Sequence, residues 1–157
     1  MTIDDLKKVL EGSDLGAVLP DLNAIVDKMT PIMRIALLAG PIILLALGLI
    51  YLFASPKEAN YKLGYRCYFG MGSVNAWRYT QRLAGLAWSV LGLILTGAMV
   101  LLTNGFADMD VYDAVWTAAK YVLWEVVIVA LSCLCINTIV MSRFTYNGDY
   151  RKARKRR

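Results

Sequence analysis

"IALLAGPIILLALGLIYLFA", residues 35–54, carries no charged side chain, and its only side-chain polar group is the hydroxyl of Tyr51. A soluble helix shows a polar stripe at every turn. This stretch has none. As a helix of about 1.5 Å rise per residue it spans about 30 Å, the hydrocarbon thickness of a bilayer. Two further blocks read the same way, Leu83–Thr103 and about Ala114–Met141. They raise the apolar fraction of the 157-residue chain to 58%, against roughly 45–50% in soluble domains. The expected fold is an all-α integral membrane protein. It has three transmembrane helices (about 35–54, 83–103 and 114–141) and an amphipathic N-terminal helical segment.

Residues 1–33 are acidic, with three lysines against six carboxylates. "TIDDLKKVLEG" offers Thr2 as N-cap and places Asp4 and Asp5 in a first helical turn, where they suit the dipole. After Pro20, "DLNAIVDKM" spaces Leu22, Ile25, Val26 and Met29 as one helical face. That face suits either a surface helix or a partner. No cleavable signal pattern precedes the first apolar block, which is expected to stay as an anchor.

Within the blocks, Gly40-Pro41 implies a kink. Gly85, Ser89, Gly92 and Thr96 form one small-residue stripe, expected to face the first or third helix. The third block holds Lys120 and Glu125 among Trp116, Tyr121 and Trp124. Lys120 is placed to snorkel at a boundary, and the aromatics suit an interfacial belt. Glu125 lies about one turn deeper, either at that boundary or facing the bundle interior as a functional group. Asn137 and Cys133, one turn apart, are available for hydrogen bonds within the bundle.

Charge orients the chain. Residues 55–82 carry Lys57, Lys62, Arg66, Arg78 and Arg82 against Glu58, and the tail 142–157 ends "RKARKRR". The connection at 104–113 has only Asp108, Asp110 and Asp113. Basic residues stay on the cytoplasmic side. The expectation is a multi-pass protein with its N-terminus outside and its C-terminus cytoplasmic. The tail suits anionic lipid headgroups. It lacks the aromatic interleaving of a nucleic-acid site, so no nucleic acid is expected.

Catalytic chemistry has little to stand on. There is no histidine, which removes Cys/His metal sites and the commonest general base. "GMG" at 70–72 has neither a preceding strand nor the Lys-Thr pair of a phosphate loop. The three cysteines do not form a disulfide framework and are expected reduced. No enzyme activity, cofactor or metal is expected.

The connection 55–82 is different. "GYRCYFGMGSVNAW", residues 64–77, packs three glycines, an arginine and four aromatic residues into one short loop between apolar blocks. From Ser73, as N-cap, the chain reads as a helix running into the second block. Trp77, Thr80 or Gln81, and Ala84 then share a face, with Trp77 at headgroup level and Arg78 and Arg82 near phosphates.

In order, Pro56, Asn60, Gly64, Tyr65, Arg66, Trp77, Gln81, Arg82 and Gly85 resemble the signature of the SdpI/YhfL family of bacterial immunity-type membrane proteins. The spacing from Gly64 to Trp77 is kept. Cys67 stands where the family usually has threonine. Tyr68, Gly70 and Ser73 replace proline, serine and asparagine. Long members carry additional N-terminal membrane helices.

The resemblance implies a place in the bacterial cell membrane and protection against a membrane-active toxin peptide by binding. The candidate binding residues are Asn60, Gly64, Tyr65, Arg66, Trp77, Gln81, Arg82 and Glu125. Arg66 either makes a specific contact through its planar fork or braces the loop together with Tyr65. The competing readings are an accessory subunit of a transporter or secretion complex, and a small transporter or channel. An oligomer fits any of these.

Overall fold

A computed structural model of the chain describes residues 22–59, 63–109 and 111–151, without the side chains at 22–28, 30, 107, 108 and 111. The described residues form three long α-helices: α1 (Leu22–Phe53), α2 (Val74–Leu102) and α3 (Val111–Arg143). Short 3-10 turns at Phe69–Met71 and Thr103–Asp108 punctuate the connections, and no strand occurs among the described residues. All three helices are long and apolar enough to cross a membrane. The expected helix at 2–12, Asn60, Lys62, Asp110 and the tail 152–157 lie outside the described residues.

α1 and α2 form the tightest pair, and the reason is the small-residue stripe. A Cβ added to Gly92 would sit 2.5 Å from the amide nitrogen of Leu45. One added to Gly85 would sit 2.8 Å from that of Leu52. Both distances mean that backbone touches backbone, which only a missing side chain permits. The stripe faces α1, one of the two neighbours expected for it. At the far end of the pair, Arg34 donates to Asn104 Oδ1 across 2.8 Å. The outward face of α2 is apolar, with Leu86, Leu93 and Ile94 exposed.

α3 is held differently. Its span is only 6% buried, against 22% and 28% for the other two. Side chains rather than backbones make its contacts. Trp88 on α2 donates its indole N–H to Ser132 Oγ at 3.2 Å. Phe106 stacks on Tyr121 with ring centroids 6.1 Å apart.

One expectation needs correction. The chain from Leu22 to Phe53 is one continuous helix with Pro31 and Pro41 inside it, whereas the sequence suggested a short helix after Pro20 followed by a separate span from residue 35. A proline removes one amide donor, but nothing around Pro31 breaks the helical run, and the loss of one bond does not terminate it. The second helix begins at Val74 and runs without a break into the apolar block, as the Ser73 cap implied, so the connection proper is 54–73. Here Ser73 behaves as expected: its backbone is extended and its Oγ accepts from the amide of Ala76 at 3.1 Å.

Candidate functional site

The connection folds onto the end of the bundle around one glutamine. Gln81, on the inner face of the first turns of α2, is 1% exposed. Its Nε2 donates to the carbonyl of Tyr65 at 2.7 Å, and its Oε1 accepts from the amide of Tyr65 at 2.8 Å. Both backbone groups of a buried loop residue are thereby satisfied by one side chain. Gly64 makes the approach possible. It adopts φ +124°, and a Cβ there would meet the Trp77 ring at 2.7 Å and Gln81 Oε1 at 2.9 Å. A side chain is excluded both by the left-handed backbone and by the space.

Trp77 is fully buried and donates its indole N–H to the carbonyl of Pro56 at 2.9 Å. The expected headgroup placement is therefore corrected. The ring is a floor under the loop, because Gly64 presses on it and Pro56 takes its only polar group. Arg78 is exposed, and its Nε donates to the carbonyl of Lys57 at 3.3 Å.

Tyr65 carries the loop across to α3. Its Oη lies 3.0 Å from Asn137 Oδ1 and 3.2 Å from the carbonyl of Cys133. One phenolic proton is shared between these two acceptors. The ring meets Trp88 edge-on, centroids 5.3 Å apart. Burial, with the Cys133 thiol adding a smaller effect, holds the phenol above its ordinary value. A phenol pinned in this way anchors the loop as a neutral donor.

Arg66, next in sequence, points the other way. It is exposed and lines a cavity of about 400 Å³ with Cys67, Tyr68, Leu134, Asn137 and Met141. Cys67 is half-buried. Burial pushes its thiol up, partly offset by hydrogen bonds from Gly70 and Thr80.

Of the eight candidates, Gly64, Tyr65, Trp77 and Gln81 form one packed cluster, tied by the Gln81–Tyr65 hydrogen bonds, and Arg66 stands at its edge. Arg82 is exposed and lies outside the cluster. Asn60 falls outside the described residues. Glu125 lies toward the other end of the bundle, beside Gly40. It faces the interior and is 9% exposed. Lys120 is exposed, with Nζ 5.6 Å from the Trp116 ring centroid. No group of metal-ligating residues occurs among the described residues.

The sequence reading missed the start of the tail. Residues 144–150 fold back instead of trailing away. Phe144 is fully buried and bridges to Tyr150. Ser73 Oγ donates to the carbonyl of Gly148 at 2.9 Å. Gly148 has φ +77°, and a Cβ there would lie 2.5 Å from that of Ser73. Tyr146 stacks near Tyr68, centroids 5.0 Å apart. The signal was the Asn147-Gly148 pair, a turn marker. Its partner surface on 70–73 is distant in sequence and left no trace there.

Comparison with protein-family models, with curated proteins and with solved structures found no match.

Proposed function

We propose that this chain is a multi-pass protein of the bacterial cell membrane that protects the cell against a membrane-active toxin peptide by binding it. The proposed orientation puts the N-terminus outside and the 54–73 connection and the C-terminus in the cytoplasm, following the charge of the connections. The tail then meets anionic headgroups. The observation that carries the binding reading is the division of labour in the loop. Gln81, Trp77 and Gly64 lock its backbone, while Arg66 and the rings beside it line an open cavity against α3. A rigid platform that presents a guanidinium and aromatics suits recognition of a peptide carboxylate or carbonyl group.

The test is survival under toxin challenge, normalised to the amount of protein in the membrane. Arg66→Lys keeps the charge and loses the planar fork. It is expected to impair protection at unchanged protein level. Wild-type protection by Arg66→Lys refutes a specific guanidinium contact.

A second reading, an accessory subunit of a transporter or secretion complex, draws on α3. So little of that helix is covered that another membrane protein has room to pack on it. A stoichiometric partner on gentle purification favours this reading over the first.

A further inference from the structure

Along the middle of the bundle, from the level of Gly40 to that of Trp88, α1 and α3 do not close on each other. They leave a cavity of about 470 Å³ lined by Pro41, Leu44, Leu47, Trp88, Val129 and Glu125. Every other wall residue is apolar, with the indole of Trp88 committed to Ser132. The carboxylate is the exception. Glu125 is more than nine-tenths buried, and its Oε1 has no hydrogen-bond partner among the described residues. On the facing helix Gly40 provides space rather than a donor: a Cβ there would lie 2.8 Å from Glu125 Oε2. From Arg34, which bonds to the 103–108 turn, to Gly40 is six residues, or about 9 Å of helix. The acid is thus set one to two turns inside the bundle, not at its rim. The cavity opens sideways between exposed Ile43 and Val126.

We propose that this cavity binds a lipophilic organic cation, with one protonated amine on an apolar body. An acid placed in an apolar wall without a donor is expensive, and such residues in spanning helices mark ligand and ion pathways. The walls offer dispersion and burial to a hydrocarbon body. The carboxylate offers a charge-assisted hydrogen bond to one N–H group, in a medium where water does not compete. The sideways opening makes the hydrocarbon phase the route of entry. A ligand of this class concentrates there, with its amine near the headgroups. The site is separate from the Arg66 cavity, and the proposal does not rest on the toxin reading.

Radiolabelled octylammonium is the probe, with octanol as its neutral counterpart. Binding is measured with the full chain in nanodiscs of phosphatidylcholine and phosphatidylglycerol, lipids without a primary amine, and corrected with empty discs. The wild type is expected to hold octylammonium more tightly than octanol by roughly tenfold to a hundredfold, the range of a hydrogen bond to a charged group. Glu125→Gln should bring octylammonium down to the octanol level and leave octanol unchanged. Val129→Phe, which narrows the cavity one turn from the intact acid, should weaken binding of both. If the wild type does not distinguish the two probes, or Glu125→Gln retains octylammonium as the wild type does, the proposal is overturned. Should Glu125→Gln fail to insert, Val129→Phe decides alone: unchanged octylammonium binding overturns the site.

Discussion

Gln81 holds Tyr65 by both of its backbone groups, one hydrogen bond in each direction across 16 residues. An amide side chain is the one group that matches a peptide in this way, with donor and acceptor side by side. Gln81→Leu, close in size, leaves a buried amide and a buried carbonyl unpaired. Each costs about 1–3 kcal/mol, so the loss should be about 2–6 kcal/mol in detergent-solubilised unfolding. Gln81→Glu keeps an acceptor and loses the donor, and should fall between. If Gln81→Leu is as stable as the wild type, the loop is not held by this pair.

Two glycines on α2 make opposite predictions for the same change. Gly92 has the backbone of Leu45 against it, whereas nothing lies within 4 Å of a Cβ at Gly97. Gly92→Ala should destabilise, and Gly92→Leu should abolish stable folding. Gly97→Ala should stabilise by roughly 0.5–1 kcal/mol, the intrinsic gain of alanine in a helix. Leu93, 65% exposed, should tolerate alanine. Thermal aggregation of the solubilised protein distinguishes these cases. Equal behaviour of Gly92→Ala and Gly97→Ala would mean that the helices do not touch along the stripe.

Alkaline pH should loosen the loop. The Tyr65 phenol sits above its ordinary value of 10.0 in the folded chain. Below that value both states hold the proton, and the contribution is fully present. As the pH rises past about 10 the unfolded chain loses its proton while the folded chain keeps it, so stability falls with rising pH. Tyr65→Phe should start less stable, because Asn137 loses its donor, and should lack this part of the slope. A melting profile from pH 8 to 11 checks both. Parallel slopes in the two proteins would remove Tyr65 as the cause.

The orientation is measurable by thiol labelling in intact cells, but not at Cys67. Burial and its raised value keep that thiol slow to react on either side of a membrane. Its alkylation rate should go on climbing above pH 9. The exposed positions Lys57→Cys and Met109→Cys report the two connections instead. A membrane-impermeant reagent should label Met109→Cys and spare Lys57→Cys until the cells are opened. The reverse pattern would invert the topology.

The three long apolar helices were legible because apolar length is a local property. The Ser73 cap and the Gly85–Gly92 stripe were legible because spacing along a helix fixes a face. The run of resemblance from Gly64 to Gln81 pointed at residues that do converge, although no sequence pattern says that Gln81 reaches the backbone of Tyr65. Two further features stayed hidden. The reach of Tyr65 to Asn137 spans 72 positions, and the docking of Gly148 on Ser73 spans 75. Such pairings depend on where helix ends meet, which periodicity does not encode. The continuity of α1 was not legible for another reason: the run at 22–29 and the apolar block from 35 each carry a helical pattern, and neither says whether the helix continues between them.

Backbone contact joins α1 to α2, but only side chains and the loop hold α3. The chain therefore carries an order of assembly. The first two helices close as a hairpin through surfaces complete in themselves. The third has its recognition points, Asn137 and Ser132, matched by groups that exist only once Tyr65 and Trp88 have been set by that hairpin. An arrest in biogenesis after the second helix would yield a folded half. An arrest in closing that half would leave Asn137 and Ser132 without the partners they meet in the folded chain.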